Sequence, residues 1–100
     1  MKKDLLLKRI DRYFRIASLL CSCCGEFACI KDKDGQVIEK IEDYGIHSKE
    51  EWEIEMRKET LWMREHKKEV LAQLYRFESE WPESCTSLRL ILSLPNIVYN

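Results

Sequence analysis

Residues 48–81 run for about a third of the chain without a glycine or a proline. Ser48 and Glu51 stand at the S-x-x-E spacing, in which a hydroxyl and a carboxylate satisfy the free N–H groups of a helix start. Pro82 follows Trp81, and a residue without an N–H is a stop signal for the helix before it. The pattern predicts one rod, roughly 50 Å long at about 1.5 Å per residue. A chain of 100 residues cannot build a core of that length, so a rod of this kind displays surface.

Along the run, Trp52, Met56, Met63, Val70, Leu74, Phe77 and Trp81 recur as one helical stripe. Ile54, Leu61, Leu71 and Tyr75 are expected to widen it. The stretch Arg64-Glu65-His66-Lys67-Lys68-Glu69 has no apolar residue, which predicts a wet middle with packing towards both ends. Trp62 falls about 80° round the helix from Trp52 at ~100° per residue. It is expected either to pack under neighbouring elements or to stand exposed as an anchor.

The rest of the chain supplies shorter elements. Residues 3–24 read as an amphipathic helix with Leu6, Ile10, Tyr13, Ala17, Leu20, Cys21 and Cys24 on one face, and with Lys8, Arg12, Arg15 and Ser22 on the other. Gly25 suits a left-handed cap. Residues 26–31 and 36–41 are β-prone runs around Asp32-Lys33-Asp34-Gly35, a hairpin signal. A calcium loop is excluded, because Gly35 at the sixth position would put Ile30 at the first, where an oxygen ligand is required. After Pro82, Ser84 or Thr86 can cap a short helix through Leu94 with Cys85, Leu88, Ile91 and Leu92 inward. The competing reading of residues 86–94, a strand alternating Leu88, Leu90, Leu92 and Leu94, would turn Ile91 outward. Pro95 ends this element, and Ile97-Val98-Tyr99 form an apolar tail. The expected fold is a single α+β domain over residues 1–100, mainly helical: N-terminal helix, β-hairpin, one long helix and a short C-terminal helix.

The net charge of −1 hides an asymmetry. Residues 1–20 carry six basic and two acidic side chains, whereas residues 42–83 carry twelve acidic and seven basic ones. The basic end is expected to meet the acidic rod, or else an acidic partner. Five cysteines without a signal peptide point to a reducing, cytoplasmic setting. No stretch approaches the ~18 apolar residues of a membrane span.

Cys21-Ser22-Cys23-Cys24, followed by Cys29, is the most site-like cluster. Thiolates at such spacing suit tetrahedral zinc, for which Cys21, Cys24, Cys29 and His47 would be the ligand set. A second tightly spaced ligand pair is missing, so the favoured reading is core thiols with no metal and no cofactor. Catalytic residues are not expected. His47 and His66 cannot share a helix face, and Glu51 and Glu55 lie in an exposed charged run without the burial that tunes a general acid. Arg9, Arg12 and Arg15 with Tyr13 and Phe14 could follow a phosphate backbone, but the acidic rod would repel one, so direct nucleic-acid contact is disfavoured.

Binding is left as the expected activity. Trp62, Arg64, Lys67, Lys68, Arg9 and Arg12 are the candidate partner contacts, on the wet middle of the rod and the basic face of the first helix. A short α+β chain with a basic first helix, a cysteine-rich patch and an acidic second helix resembles small accessory proteins from the recombination regions of temperate phages. Among them are the phage anti-RecBCD proteins, which modify or block a host helicase–nuclease. Other phage inhibitors of host defence complexes and bacterial immunity proteins look similar. The resemblance implies a non-enzymatic protein that binds and inhibits or redirects a larger complex, and it assigns no individual residue. A zinc-stabilised adaptor, a nucleic-acid-binding accessory protein and a homo-oligomer are the alternatives.

Overall fold

The computed structural model describes residues 2–21 and 25–94. Helix α1 (Lys3–Ser18) leads to strands β1 (Cys29–Lys31) and β2 (Val37–Lys40) and a 3-10 turn (Ile41–Tyr44). Helices α2 (Lys49–Glu65) and α3 (Lys67–Gln73), a second 3-10 turn (Leu74–Phe77) and helix α4 (Pro82–Ser93) follow. The protein is mainly helical α+β, with one two-stranded antiparallel hairpin among the described residues.

The first helix stops at Ser18 and does not continue to residue 24. Beyond it the chain pairs with residues 26–28: Ala28 N–H donates to Leu19 O (2.7 Å) and Cys21 N–H to Glu26 O (2.8 Å). Leu20 and Phe27 face each other across this bridge. Leaving the helix lets Leu19 become fully buried among Ile16, Ile41 and Ile46, a burial its position on a longer helix would not guarantee. Gly25, at φ +70°, therefore turns a loop and caps no helix. Cys24, Cys23 and Ser22 lie outside the described residues.

The hairpin forms where the Asp-Gly signal placed it. The Asp32 carboxylate accepts N–H bonds from Asp34 and Gln36, both 2.9 Å, and so holds the loop from within. Gly35 takes φ +81°, a left-handed value that side chains with a Cβ rarely adopt. Cys29 pairs with Lys40 and Ile30 with Glu39, and the register shifts before Lys31 meets Val37.

The predicted single rod is divided at His66. Its backbone (φ −111°, ψ 30°) leaves helical values, and its ring Nδ1 lies 2.9 Å from Trp62 O, beside the backbone bond from His66 N–H to the same oxygen. A straight rod would outrun the molecule, whose longest dimension is 38 Å. The break falls in the apolar-free stretch, where solvent can take up the helix hydrogen bonds that are lost. Folding back then brings Phe77 edge-on to Phe14 (5.7 Å) and Trp81 over the same ring (6.4 Å). Burial of a Phe or Leu side chain is worth about 1.5–3 kcal/mol, more than an exposed helix bond, so packing decides the bend.

Pro82 also acts differently from the expectation. It occupies the first turn of α4, where its missing N–H costs nothing, and so it opens a helix. Residues 82–93 are helical, with Cys85, Leu88 and Leu92 buried and Leu90 exposed, which settles the helix reading over the strand. Pro95 and the segment Ile97-Val98-Tyr99 lie outside the described residues.

Two clusters form the core. The larger joins Leu6, Ile10, Tyr13 and Phe14 of α1 to Met63, Val70, Leu74 and Phe77, and to Cys85, Leu88 and Leu92 of α4. The smaller places Ile16, Leu19, Ile41 and Ile46 beneath the hairpin, with Trp52 against them. Trp52 Nε1 donates to Ile16 O (3.0 Å) and pins the start of α2 to the end of α1. The four residues expected to widen the apolar stripe do not join it: Ile54, Leu61, Leu71 and Tyr75 are 58%, 42%, 37% and 64% exposed.

Candidate functional site

The basic first helix meets the acidic second one inside the molecule. Glu59 is buried, and its carboxylate accepts from Arg9 Nε and Nη2, both at 3.2 Å. Arg12 Nη1 reaches Glu55 (3.1 Å) and lies 3.6 Å from Glu59. These four side chains, with Leu5 and Lys8, line an open cleft of about 410 Å³ between α1 and α2. Arg15 extends the seam, bonding Asp11 (2.8 Å) and Glu39 (2.7 Å). The Asp11 and Glu39 bonds hold its guanidinium pKa above the usual value. Tyr44 donates to the other Glu39 oxygen at 2.6 Å. Burial, with that bond to a carboxylate, pushes the Tyr44 phenol up to about 12.

The six candidate partner contacts separate into two groups. Arg9 packs on the Trp62 indole (4.3 Å to the ring centre), and His66 stacks on it at 4.1 Å. Trp62 is half-buried against the larger core, as its first expected role required. Arg64 donates to Ile91 O (3.2 Å), which also accepts the Leu94 N–H, and to Leu94 O (3.3 Å), both at the end of α4. Arg9, Arg12, Trp62 and Arg64 are thus engaged within the fold. Lys67 and Lys68 are exposed, and no carboxylate pairs with them among the described residues.

These two lysines begin an outward face that continues along α3 and the 3-10 turn. Within α3, spacing by four residues sets Leu71 beside Lys67 and Ala72 beside Lys68, and Tyr75 and Arg76 follow on the 3-10 turn. All six residues are exposed. Arg76 lies over the Tyr75 ring at 5.3 Å and bonds Gln73 (2.8 Å). The result is an apolar centre of Leu71, Ala72 and Tyr75 between cations at both ends, with Glu69 following Lys68. Sequence reasoning placed Leu71 and Tyr75 in the core. The signal against that was available: Val70, Leu74 and Phe77, at spacings of four and three, already complete one core seam. Leu71 and Tyr75 each follow a seam residue by one position, about 100° further round.

The proposed zinc ligands are not brought together among the described residues. Cys24 lies outside them, and Cys21, Cys29 and His47 do not form a metal-holding group. Cys85 is fully buried and sets its Sγ 3.6 Å from Leu74 O, and burial raises its thiol pKa. Half of the expected capping box forms: the Glu51 N–H donates to Ser48 Oγ (3.1 Å), while the Glu51 carboxylate accepts the N–H of His47 (3.2 Å), one residue before the cap.

No family model, no curated protein and no solved structure matches the chain.

Proposed function

We propose that this protein acts by binding another protein through the outward face of α3, without chemistry of its own. The observation that carries this reading is the pair Leu71 and Tyr75, exposed on α3 and on the 3-10 turn that follows it, with Lys67, Lys68 and Arg76 around them. Apolar and aromatic side chains held on a rigid element, rimmed by charge, are the composition of an interface centre. The ionisable groups elsewhere support the same reading, since Glu59, Arg9, Arg12 and Arg15 are occupied in joining α1 to its neighbours. Binding of this kind inhibits or redirects a larger complex by covering or reshaping one of its surfaces. The narrower reading, an inhibitor of a host helicase–nuclease or of a similar defence complex, rests on the overall resemblance to small phage accessory proteins.

Affinity capture from a bacterial lysate tests the proposal. The wild-type chain is expected to retain a specific protein that is lost with Leu71→Asp and weakened with Tyr75→Ala. Specific retention unaffected by both variants, or no specific retention by a chain that proves to be a closed oligomer, would overturn it.

A further inference from the structure

We infer that the chain exchanges residues 67–94 with a second copy of itself, α2 and α3 joining through His66 into one continuous helix. The closed monomer folds this region back on itself. Trp52 and Trp81 stand twenty-nine positions apart, about 44 Å on a straight helix at ~1.5 Å per residue. Both nevertheless reach the last turns of α1: Trp52 Nε1 bonds Ile16 O (3.0 Å), and Trp81 lies 6.4 Å from the Phe14 ring. The reversal passes through one non-helical residue, His66, between α2 and α3, and then through the 3-10 turn at Leu74–Phe77. Connections between packed helices ordinarily take ~2–8 residues, and a hinge as short as this one invites exchange between copies.

Each side of the junction holds together by itself. On one side, Arg9 with Glu59, Arg12 with Glu55, Arg15 with Glu39 and Trp52 with Ile16 tie α1, the hairpin and α2 into a body. On the other, Cys85 Sγ meets Leu74 O at 3.6 Å and Arg89 pairs with Glu78, so α4 is fastened to the 3-10 turn as one arm. Body and arm meet through side chains, Phe14 with Phe77 and Trp81, and Arg64 with the end of α4. The same contacts form with the arm of a second copy, so they do not discriminate between the closed and exchanged forms. The junction does. Glu65, Lys67, Lys68 and Glu69 are good helix formers, with no Gly or Pro among them. In the closed form, helix bonding restarts with Val70 N–H donating to His66 O (2.9 Å), so residues 67–69 stand in a first turn, where N–H groups lack helical acceptors. A helix continuous through His66 gives them the carbonyls of Met63, Arg64 and Glu65. Against exchange stands the local concentration of the chain's own arm, on the order of millimolar. Exchange repeats the packing of the arm, so Leu71 and Tyr75 face outward in both forms and the binding reading stands apart from it.

Refolding the full chain at ~1 mM, comparable to that local concentration, and sizing the products by chromatography with light scattering tests this. A dimer is expected, and it should persist on dilution because separating the arms requires unfolding. His66→Ala should raise its share roughly 10-fold, since both junctions gain helix propensity. Insertion of Gly-Ser-Gly after His66 should abolish the dimer while the monomer still unfolds cooperatively. Hydrogen exchange separates arm exchange from ordinary surface association: the amides of Lys67, Lys68 and Glu69 should exchange at least ~10-fold more slowly in the dimer than in the monomer. A wild-type chain that stays monomeric after refolding, a dimer whose 67–69 amides exchange as in the monomer, indifference to His66→Ala, or a dimer that survives the insertion would each overturn the inference.

Discussion

Arg9 and Glu59, fifty positions apart in the chain, are joined by two hydrogen bonds of 3.2 Å, and the Glu59 side chain is only 6% exposed. The pair fixes α1 across the middle of α2, and the same guanidinium packs on Trp62. Charge asymmetry between the chain's two ends is thereby turned into a tertiary contact.

Removing Arg9 should cost more than removing an exposed partner. Arg9→Ala leaves a buried carboxylate with only Arg12, 3.6 Å away, and is expected to destabilise by about 2 kcal/mol, reduced from the fully buried case because Arg9 is 40% exposed. Lys58→Ala removes a side chain that is 69% exposed, with its ammonium 4.0 Å from Glu55, and should change stability by less than about 0.5 kcal/mol. Urea unfolding of the two variants checks the contrast; equal costs would show that the seam contributes no more than a surface pair.

The bend at His66 is held by what it buries. Phe77→Ala removes a ring that is 9% exposed and edge-on to Phe14, and should cost about 3–4 kcal/mol. Tyr75→Ala, two positions earlier and 64% exposed, should cost under about 1 kcal/mol. A large loss from the Tyr75 change would mean that α3 is turned the other way.

The start of α2 offers a local test. Ser48→Ala deletes the acceptor for the Glu51 N–H and should cost about 1 kcal/mol, lowering Tm by roughly 4–8 °C. Ser48→Asp should retain most of the stability, because a carboxylate accepts the same bond.

Alkaline titration should report on Tyr44. Its phenol, with a folded pKa pushed up to about 12 from 10.0, keeps its proton where the unfolded chain has lost it. The folded state then holds more protons between those two values, so this group's contribution is complete below pH ~10 and falls away as pH rises towards ~12. Phenolate absorbance should show two late-titrating components, one from Tyr44 and one from Tyr13, whose phenol burial also raises. The late amplitude should fall by one tyrosine in Tyr44→Phe and its Tyr44 part should move to lower pH in Glu39→Gln; late amplitude unchanged by Tyr44→Phe would show that Tyr44 titrates normally.

Local chemistry determined much of this protein in advance. Ser48 and Glu51 place a helix start, Asp32 and Gly35 a hairpin turn, and the spacing of Leu6, Ile10 and Tyr13 the buried face of α1. Each depends on residues within a few positions of one another, so the sequence contains the whole interaction. The attraction between the basic and acidic segments was legible too, as a sum of charges, although its pairing was not.

Only the tertiary structure decided that residues 48–81 bend at His66, that α1 ends at Ser18, and that Pro82 opens a helix. In each case a distant burial competes with a local preference: Phe77 on Phe14, Leu19 on Ile41, Cys85 and Leu88 in the main core. The candidate site was decided in the same way. Whether an arginine is free to meet a partner depends on which carboxylate lies opposite it, and a helical pattern does not say which of two adjacent apolar columns faces inward. Burying Val70, Leu74 and Phe77 left Leu71 and Tyr75 outside. Pairing Arg9 and Arg12 with Glu59 and Glu55 took those arginines out of the exposed surface.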